Sequence, residues 1–395
     1  MGRTVHASAV ARQSRVDIAV ARAATAGVLL IAACTGSSKP PAGTPTGSSA
    51  ASPGAASTSA SRSGAATSPA GPAQPSTSHR PATPGTVRIG FAGDVHFMER
   101  TVRRLAADPA TAFGPAAAVL SAPDLTMVNL ETSVSVGGRP EVKSFTFQAP
   151  PSAFSALRAA GVDLVTMANN HAADYGSDGL AQTLAAIRRT GFPVVGIGAN
   201  ADAAFAPYYT QVNGVRLAFL AASQVLEETL AHFSATASRP GIANAYSDRL
   251  ISSVRTARAH ADVVIVYLHW GTEYQSCPNA DQRMLADRLA AAGATAVIGT
   301  HAHVLQGAGW RPDGRFVAYG LGNYLWWHSF GNTQDDNGVL TLTVTGNRVR
   351  SAVFAPARLD DRGIAVPATE AQGRRILDQW NQARGCAGLL AAPPR

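Results

Sequence analysis

Thr166-Met-Ala-Asn-Asn-His171-Ala-Ala-Asp174-Tyr-Gly176 is a polar cluster that follows directly on an apolar run, Asp163-Leu-Val-Thr-Met-Ala168. A short apolar run bounded by loop residues reads as a buried strand, so the cluster sits where a strand gives way to a loop. Four further runs end in the same manner. Val87–Ala92 leads into Gly93-Asp94-Val95-His96, and Leu125–Val128 leads into Asn129-Leu130-Glu131. Val263–Leu268 leads into His269-Trp270, and Ala296–Gly299 into Thr300-His301-Ala302-His303. Chemistry in open α/β sheets collects at the carboxyl ends of parallel strands. Five strand ends that deliver Asp, His, Glu and Asn to one edge form the pattern of a metal site.

Each motif has a plainer reading when taken alone. Gly93-Asp94 marks many turns, Glu131 suits a helix cap, and His269 suits a core position. His96 shares a metal with Asp94 only if both side chains face one way. Asn169-Asn170-His171 carries more weight, because polar side chains behind a buried strand need partners. His301 and His303, two residues apart, fall on one side of an extended segment, a common chelating arrangement. Together the five ends make an incidental origin a poor explanation.

The 395 residues are ample for a large α/β domain. The formal charge of +8 is unevenly spread. Arg3, Arg12, Arg15 and Arg22 against Asp17 leave +3 on residues 1–34, and Lys39, Arg62 and Arg80 put +3 on residues 35–86. Only +2 remains beyond residue 86, which argues against a basic nucleic-acid-binding domain.

Residues 1–34 read as an export signal with a basic start and the apolar run Ala23–Ala33, too short for a spanning helix of ~18–20 residues. Leu30-Ile31-Ala32-Ala33-Cys34 resembles a bacterial lipobox with Cys34 as the acylated residue; a cleaved signal peptide with an incidental Cys is the alternative. The expected location is the outer face of the cytoplasmic membrane as a lipoprotein, or else secretion. Residues 35–86, almost wholly Ser, Thr, Pro, Gly and Ala, lack any hydrophobic period and read as a disordered tether. Outside the cytoplasm Cys277 and Cys386 are expected to pair, with metal ligation and free thiols as the other readings.

Beyond the tether, helices are expected over Ser152–Ala160, Gly179–Thr190, Ser247–His260, Asn279–Ala292 and Thr369–Arg384. Strands are expected over Val194–Ile197, Val215–Ala222, Arg315–Tyr319, Val339–Val344 and Ser351–Phe354. The alternation predicts a layered α/β fold with mostly parallel central sheets flanked by helices. Its domain spans 87–357, with a helical segment, 358–395, packed on it.

Gly93-Asp94, Asn129-Leu-Glu131, Ala168-Asn-Asn-His171-x-x-Asp174-x-Gly176, His269-Trp-Gly-Thr-Glu-Tyr274, His301-x-His303-Val304 and Tyr319-Gly-Leu-Gly-Asn323 occur in that order. The set, with Lys143–Pro150 and Gly196–Asn200, resembles the bacterial capsule-synthesis CapA family, linked to poly-γ-glutamate, whose domain is similar to a calcineurin-type metallophosphoesterase. The resemblance covers roughly Val87 to Phe354. It implies two divalent metal ions (Mn, Fe, Zn or Mg). One would lie on Asp94, His96 and His303, the other on Asn170, His269 and His301, with Glu131 bridging. It implies that His171 assists the leaving group or stabilises the oxyanion, with Asn169, Asp174 and Asn323 in support. Three departures stand out: Thr300 where a Gly is usual, Glu131 where phosphoesterases have Asp, and no glycine within Phe97-Met-Glu-Arg100.

Three functions follow from this resemblance. One is an enzyme of capsule or poly-γ-glutamate assembly, a metal-dependent hydrolase or transferase acting on the anionic polymer, with synthase subunits as possible partners. The others are a non-catalytic accessory binding polymer carboxylates, and an extracytoplasmic phosphoesterase.

Overall fold

The structure is a computed structural model that describes residues 85–395. The export signal, Cys34 and nearly all of the tether lie outside the described residues. Two sheets face each other at the centre. In the first, Thr86–Val95 has Leu125–Leu130, Leu164–Thr166 and Val194–Val195 added in parallel on one side. On its other side Asp336–Thr345, Arg348–Leu359 and Ala365–Pro367 run antiparallel. In the second, Phe316–Leu321, Ala296–Thr300, Val263–His269 and Val215–Ser223 are parallel neighbours. Leu305–Trp310 and Tyr208–Val212 close its edges in antiparallel fashion.

Strand periodicity sorts the side chains into layers. Ile89, Phe91, Leu217, Phe219, Ile265 and Tyr267 meet in one buried cluster between the sheets. Their neighbours Ala218, Leu220, Val264 and Val266 point outward onto Leu250, Val254, Leu285 and Leu289. Those residues belong to the helices Asp248–His260 and Ala280–Ala292. Val128, Leu130 and Val165 cover the outer face of the first sheet with Leu105, Phe154, Leu157 and Leu180. Covering both faces of each parallel region explains why these strands read as continuous apolar runs. The Tyr267 hydroxyl donates to the Ala92 carbonyl at 2.6 Å and ties one sheet to the other.

Local signals set the helix ends. Ser247 caps Asp248–His260, and Asn279 forms a capping box with Gln282. Gly191 and Gly293 end their helices in the left-handed conformation. The helix expected from Gly179 begins earlier, spanning Gly176–Thr190, and the terminal helix is longer than expected, Glu370–Ala387. The expected strand Val194–Ile197 is broken. Val194–Val195 stays in the first sheet, whereas Ile197–Gly198 turns to pair with Gly241–Ile242. Gly196 makes the bend at φ 84°, where a Cβ would come within 2.5 Å of the Ala168 Cβ.

The terminal helix packs on Leu305–Trp310 because that strand is small where they touch. A Cβ on Gly307 would sit 2.3 Å from the Ala383 carbonyl oxygen, and one on Gly309 2.3 Å from that of Leu390. A disulfide joins Cys277 to Cys386, with their Cα atoms 5.8 Å apart. It fastens this helix to the loop that follows His269. Among the described residues no helix is long and apolar enough to cross a membrane.

Candidate metal centre

The strand ends converge because their registers place them side by side. Asp94 is paired with Asn129 and with Asn323, and Asn129 in turn with Thr166. Across the second sheet His269 aligns with Thr300. The first strand reaches this edge only because residue 93 is glycine. A Cβ there would fall 1.8 Å from the Gly322 carbonyl oxygen, which accepts the Asp94 N–H at 2.9 Å.

Asn129 organises the buried floor. Its amide nitrogen donates to Asp94 Oδ1 at 2.8 Å and lies 3.2 Å from His269 Nδ1, while its oxygen accepts from Asn169 at 2.9 Å. Ligand atoms of Asp94, Glu131 and His269 lie within 4.8 Å of one another, as do those of Glu273, His301 and His303. Asn170 Oδ1 lies 2.9 Å from His269 Nε2, beside the first group. His303 donates from Nδ1 to Asn323 Oδ1 at 2.8 Å, which leaves Nε2 as its free lone pair, 4.0 Å from Glu273. Thr300, in place of the usual glycine, sets its hydroxyl 3.3 Å from His269 Nδ1.

His96 belongs to neither converging group. Its Nε2 accepts the Trp327 backbone N–H at 3.1 Å, and its ring stacks on Trp326 at 4.1 Å. His171 stands apart from both groups as well. Its Nδ1 lies 2.6 Å from Asp174 Oδ2, and its Nε2 is 3.9 Å from Glu131. Asp174 is held in turn by the Phe147 backbone N–H at 2.6 Å and by the Lys143 ammonium at 3.0 Å. Lys143 also donates to the Asn170 carbonyl at 2.6 Å.

The electrostatics call for a cation. Burial, with Asp94 nearby, pushes the Glu131 carboxyl well above its usual range, and burial raises Asp94 too. Burial, reinforced by neighbouring imidazoles, holds His96, His269 and His301 well below the ordinary histidine value. His171 is lowered by burial against the opposing pull of Asp174. Among the described residues six buried side-chain polar atoms lack a hydrogen-bond partner. Four of them are both Glu131 oxygens, His301 Nδ1 and His96 Nδ1. Unpaired buried carboxylate oxygens are expensive, and here they sit among imidazole nitrogens. Hard oxygens with imidazoles suit Mn, Fe, Zn or Mg, so the residues present fit a divalent metal.

The backbone is strained at the same place. Of the five non-glycine residues with positive φ among the described residues, Tyr274, His301 and His303 belong to the site. Above it opens a cleft of about 740 Å³, lined by Lys143, His171 and Asn170, by Glu227, Glu228 and Glu273, and by several aromatic rings including Trp326 and Trp327. Sequence reasoning assigned no role to Glu273, Asn129, Lys143 or Glu227. Glu273 was the most accessible of these, since it lies four residues beyond His269 within a quoted motif. Leu325 is core, and both Trp326 and Trp327 reach the cleft.

Comparison with known proteins adds the family. The profile described as bacterial capsule synthesis protein PGA_cap matches residues 88–326. The PGA biosynthesis protein CapA of Bacillus subtilis (strain 168) is 30% identical over 289 residues, 68% of this chain and 73% of that protein. The capsule biosynthesis protein CapA of Bacillus anthracis is 32% identical over 215 residues, 51% of each; the chain spans about half of that relative. A solved phosphatase from Mycoplasma pneumoniae superposes with a TM-score of 0.45 at 14% identity, covering 70% of this chain and 95% of that one. The family match runs through every strand end that feeds the site, and the chain belongs to the bacterial capsule synthesis family.

Proposed function

We propose that this chain is an extracytoplasmic lipoprotein of capsule or poly-γ-glutamate biosynthesis or export, with a binuclear metal centre that performs metal-assisted hydrolysis or transfer. The observation that carries this reading is Glu131, fully buried with both oxygens unpartnered in a ligand group with Asp94 and His269. Asp94, Glu131, His269 and Asn170 would hold one ion, and Glu273, His301 and His303 the other. Divalent ions in such a site polarise a phosphoryl or carbonyl oxygen and lower the pKa of a bound water.

The chain's own contribution is proton handling and orientation. Asp174 takes the Nδ1–H of His171, so the neutral ring presents its Nε2 lone pair toward Glu131 and the cleft. That nitrogen accepts a proton and returns it to a leaving group, while Lys143 and the Phe147 N–H fix Asp174 behind it. The cleft weighs against a bare polyanion-binding role. Its walls carry three glutamates, whereas the lysine is paired with Asp174. An anionic substrate therefore needs the metal charge to enter. Cys34, expected to be acylated, and the Cys277–Cys386 bridge suit an oxidising compartment outside the membrane.

The test is turnover of phosphoesters and γ-glutamyl amides by the metal-loaded protein. His171→Ala should lower kcat by about 10²–10⁴-fold with metal content unchanged. Asp94→Ala should lose metal and turnover together. Full activity in both variants would sink the catalytic reading.

A further inference from the structure

We propose that Arg315, Arg348 and Arg350 form a second binding site, at the edge of the sheets opposite the metal centre, for a chain bearing repeated carboxylates. The polymer chemistry rests on the capsule reading above, whereas the site itself requires no metal at the other edge.

The topology sets the two sites apart. Thr86 opens the strand that carries Asp94 near its far end. It pairs with Thr345, which pairs in turn with Arg348. From residue 86 to residue 94, steps of ~3.3 Å put about 26 Å between the two edges. Arg315 directly precedes the strand Phe316–Leu321, which runs from this edge toward Asn323 and the metal centre. Here opens a cleft of about 350 Å³, lined by Arg315, Arg348, Arg350 and Arg395 and walled by Pro312 and Pro394.

Local structure aims the arginines into this cleft. Val349 is buried, and its carbonyl accepts the Trp310 Nε1–H at 3.1 Å, while the arginines on either side of it stay exposed. The ladder passes from Val344 with Val349 to Thr343 with Ser351, so Arg350 is the extra residue of a bulge. A bulge re-aims the side chain it carries. Asp313, the acid in the cleft wall, is already engaged. Its Oδ1 accepts the Arg315 backbone N–H at 3.0 Å, and its Oδ2 accepts from Arg311 Nε at 3.2 Å. Among the described residues none of the three guanidinium groups pairs with a carboxylate, whereas Arg216, Arg288, Arg358 and Arg375 each do. Burial and the like charge of Arg258, reinforced by Arg348 and opposed by Asp313, hold the Arg315 guanidinium below the usual arginine value.

A guanidinium meets a carboxylate with two parallel N–H donors, and three in one concave site can engage successive carboxylates of a chain. A flat lipid surface would reach the exposed Arg348 and Arg350 but not Arg315, which is only partly exposed within the cleft. The metal-centre cleft, with its three glutamates, has the opposite character.

Full-length chain is prepared as parent, as Arg348→Glu/Arg350→Glu and as Arg315→Gln. Arg188→Glu/Arg189→Glu makes the same change of net charge at the exposed end of the helix Gly176–Thr190. Binding of fluorescent poly-γ-glutamate is read by anisotropy under chelator at ~0.15 M salt, where exposed charges beyond about 8 Å are screened. The parent should bind, and both cleft variants should bind about tenfold more weakly or worse. Arg188→Glu/Arg189→Glu should match the parent. Arg315→Gln carries the comparison if the cleft double variant does not fold. Equal losses in the two double variants would reduce the effect to net charge and overturn the site, as would unchanged binding in the cleft variants. A parent that does not bind the polymer overturns the proposal as well, and its binding to phosphatidylglycerol vesicles instead would name a lipid surface. Metal content is measured on the same chains without chelator. A parent without metal would sink the metal-centre reading and leave the polymer comparison standing.

Discussion

Glu131→Met should stabilise the metal-free protein, although most substitutions of a fully buried residue destabilise. Both carboxylate oxygens of Glu131 are buried without a hydrogen-bond partner, and Asp94 lies near. An unsatisfied buried polar group costs about 1–3 kcal/mol. Methionine fills a similar volume with no polar atom, so the gain at neutral pH should be about 1–3 kcal/mol, a rise of a few degrees in Tm. The folded-state pKa of Glu131 lies well above the ordinary 4.5, so its contribution is fullest below that value and is lost as pH rises through the folded one. The advantage of the variant must therefore grow with pH. Added metal offsets or reverses this advantage. At a hundredfold excess over Kd the parent would gain about 2.7 kcal/mol, and the variant, lacking the Glu131 carboxylate as a ligand, would gain little. Urea unfolding with chelator and with excess Mn or Zn reads both signs. A variant clearly less stable than the parent under chelator would show that Glu131 is well paired in the native protein. A variant keeping the full metal-induced shift would show that it is no ligand.

Glu99 sits exposed at φ 46° and ψ −102°, where a side chain is strained. Glu99→Gly should add about 1 kcal/mol in chemical denaturation, and a loss of stability would contradict the strain argument. Reducing the Cys277–Cys386 bridge, which closes a loop of sequence separation 109, should cost about 2–5 kcal/mol in thermal unfolding. An unchanged Tm in reductant would mean that the bridge contributes nothing. In metal-free protein, His96, His171, His269 and His301 all have folded values below 6.5. Their contribution is present above 6.5 and is lost as pH falls through the folded values, partly offset by raised Asp94 and Glu131. Stability should drop by about 1–3 kcal/mol between pH 7.5 and 5.5, and a flat profile would count against buried neutral imidazoles.

Most of the architecture was legible because the parallel regions of both sheets are covered on both faces, so their strands appear as apolar runs, and the helices carry clear caps. What escaped depends on contacts between distant segments. Leu305–Trp310 is poor in strand signals because Gly307 and Gly309 make room for the terminal helix. Gly196 bends an apolar run out of the first sheet, which no local pattern announces. The candidate ligands Asp94, Glu131, His269, His301 and His303 were readable as strand ends. Glu273 lies within the His269–Tyr274 motif but does not end a strand; it arrives on a loop shaped by Gly271 at φ 101° and Tyr274 at φ 64°. The expected role of His96 followed from its spacing to Asp94, and spacing carries no information about the Trp327 N–H that occupies Nε2. The missing glycine in Phe97–Arg100 was visible, and its consequence is the strained Glu99.

The most direct measurement is the divalent metal content of the purified full-length chain, with Glu131→Ala prepared alongside. Near two equivalents in the parent, lost in the variant, is the predicted result. No bound metal after reconstitution with Mn or Zn would contradict the metal centre itself.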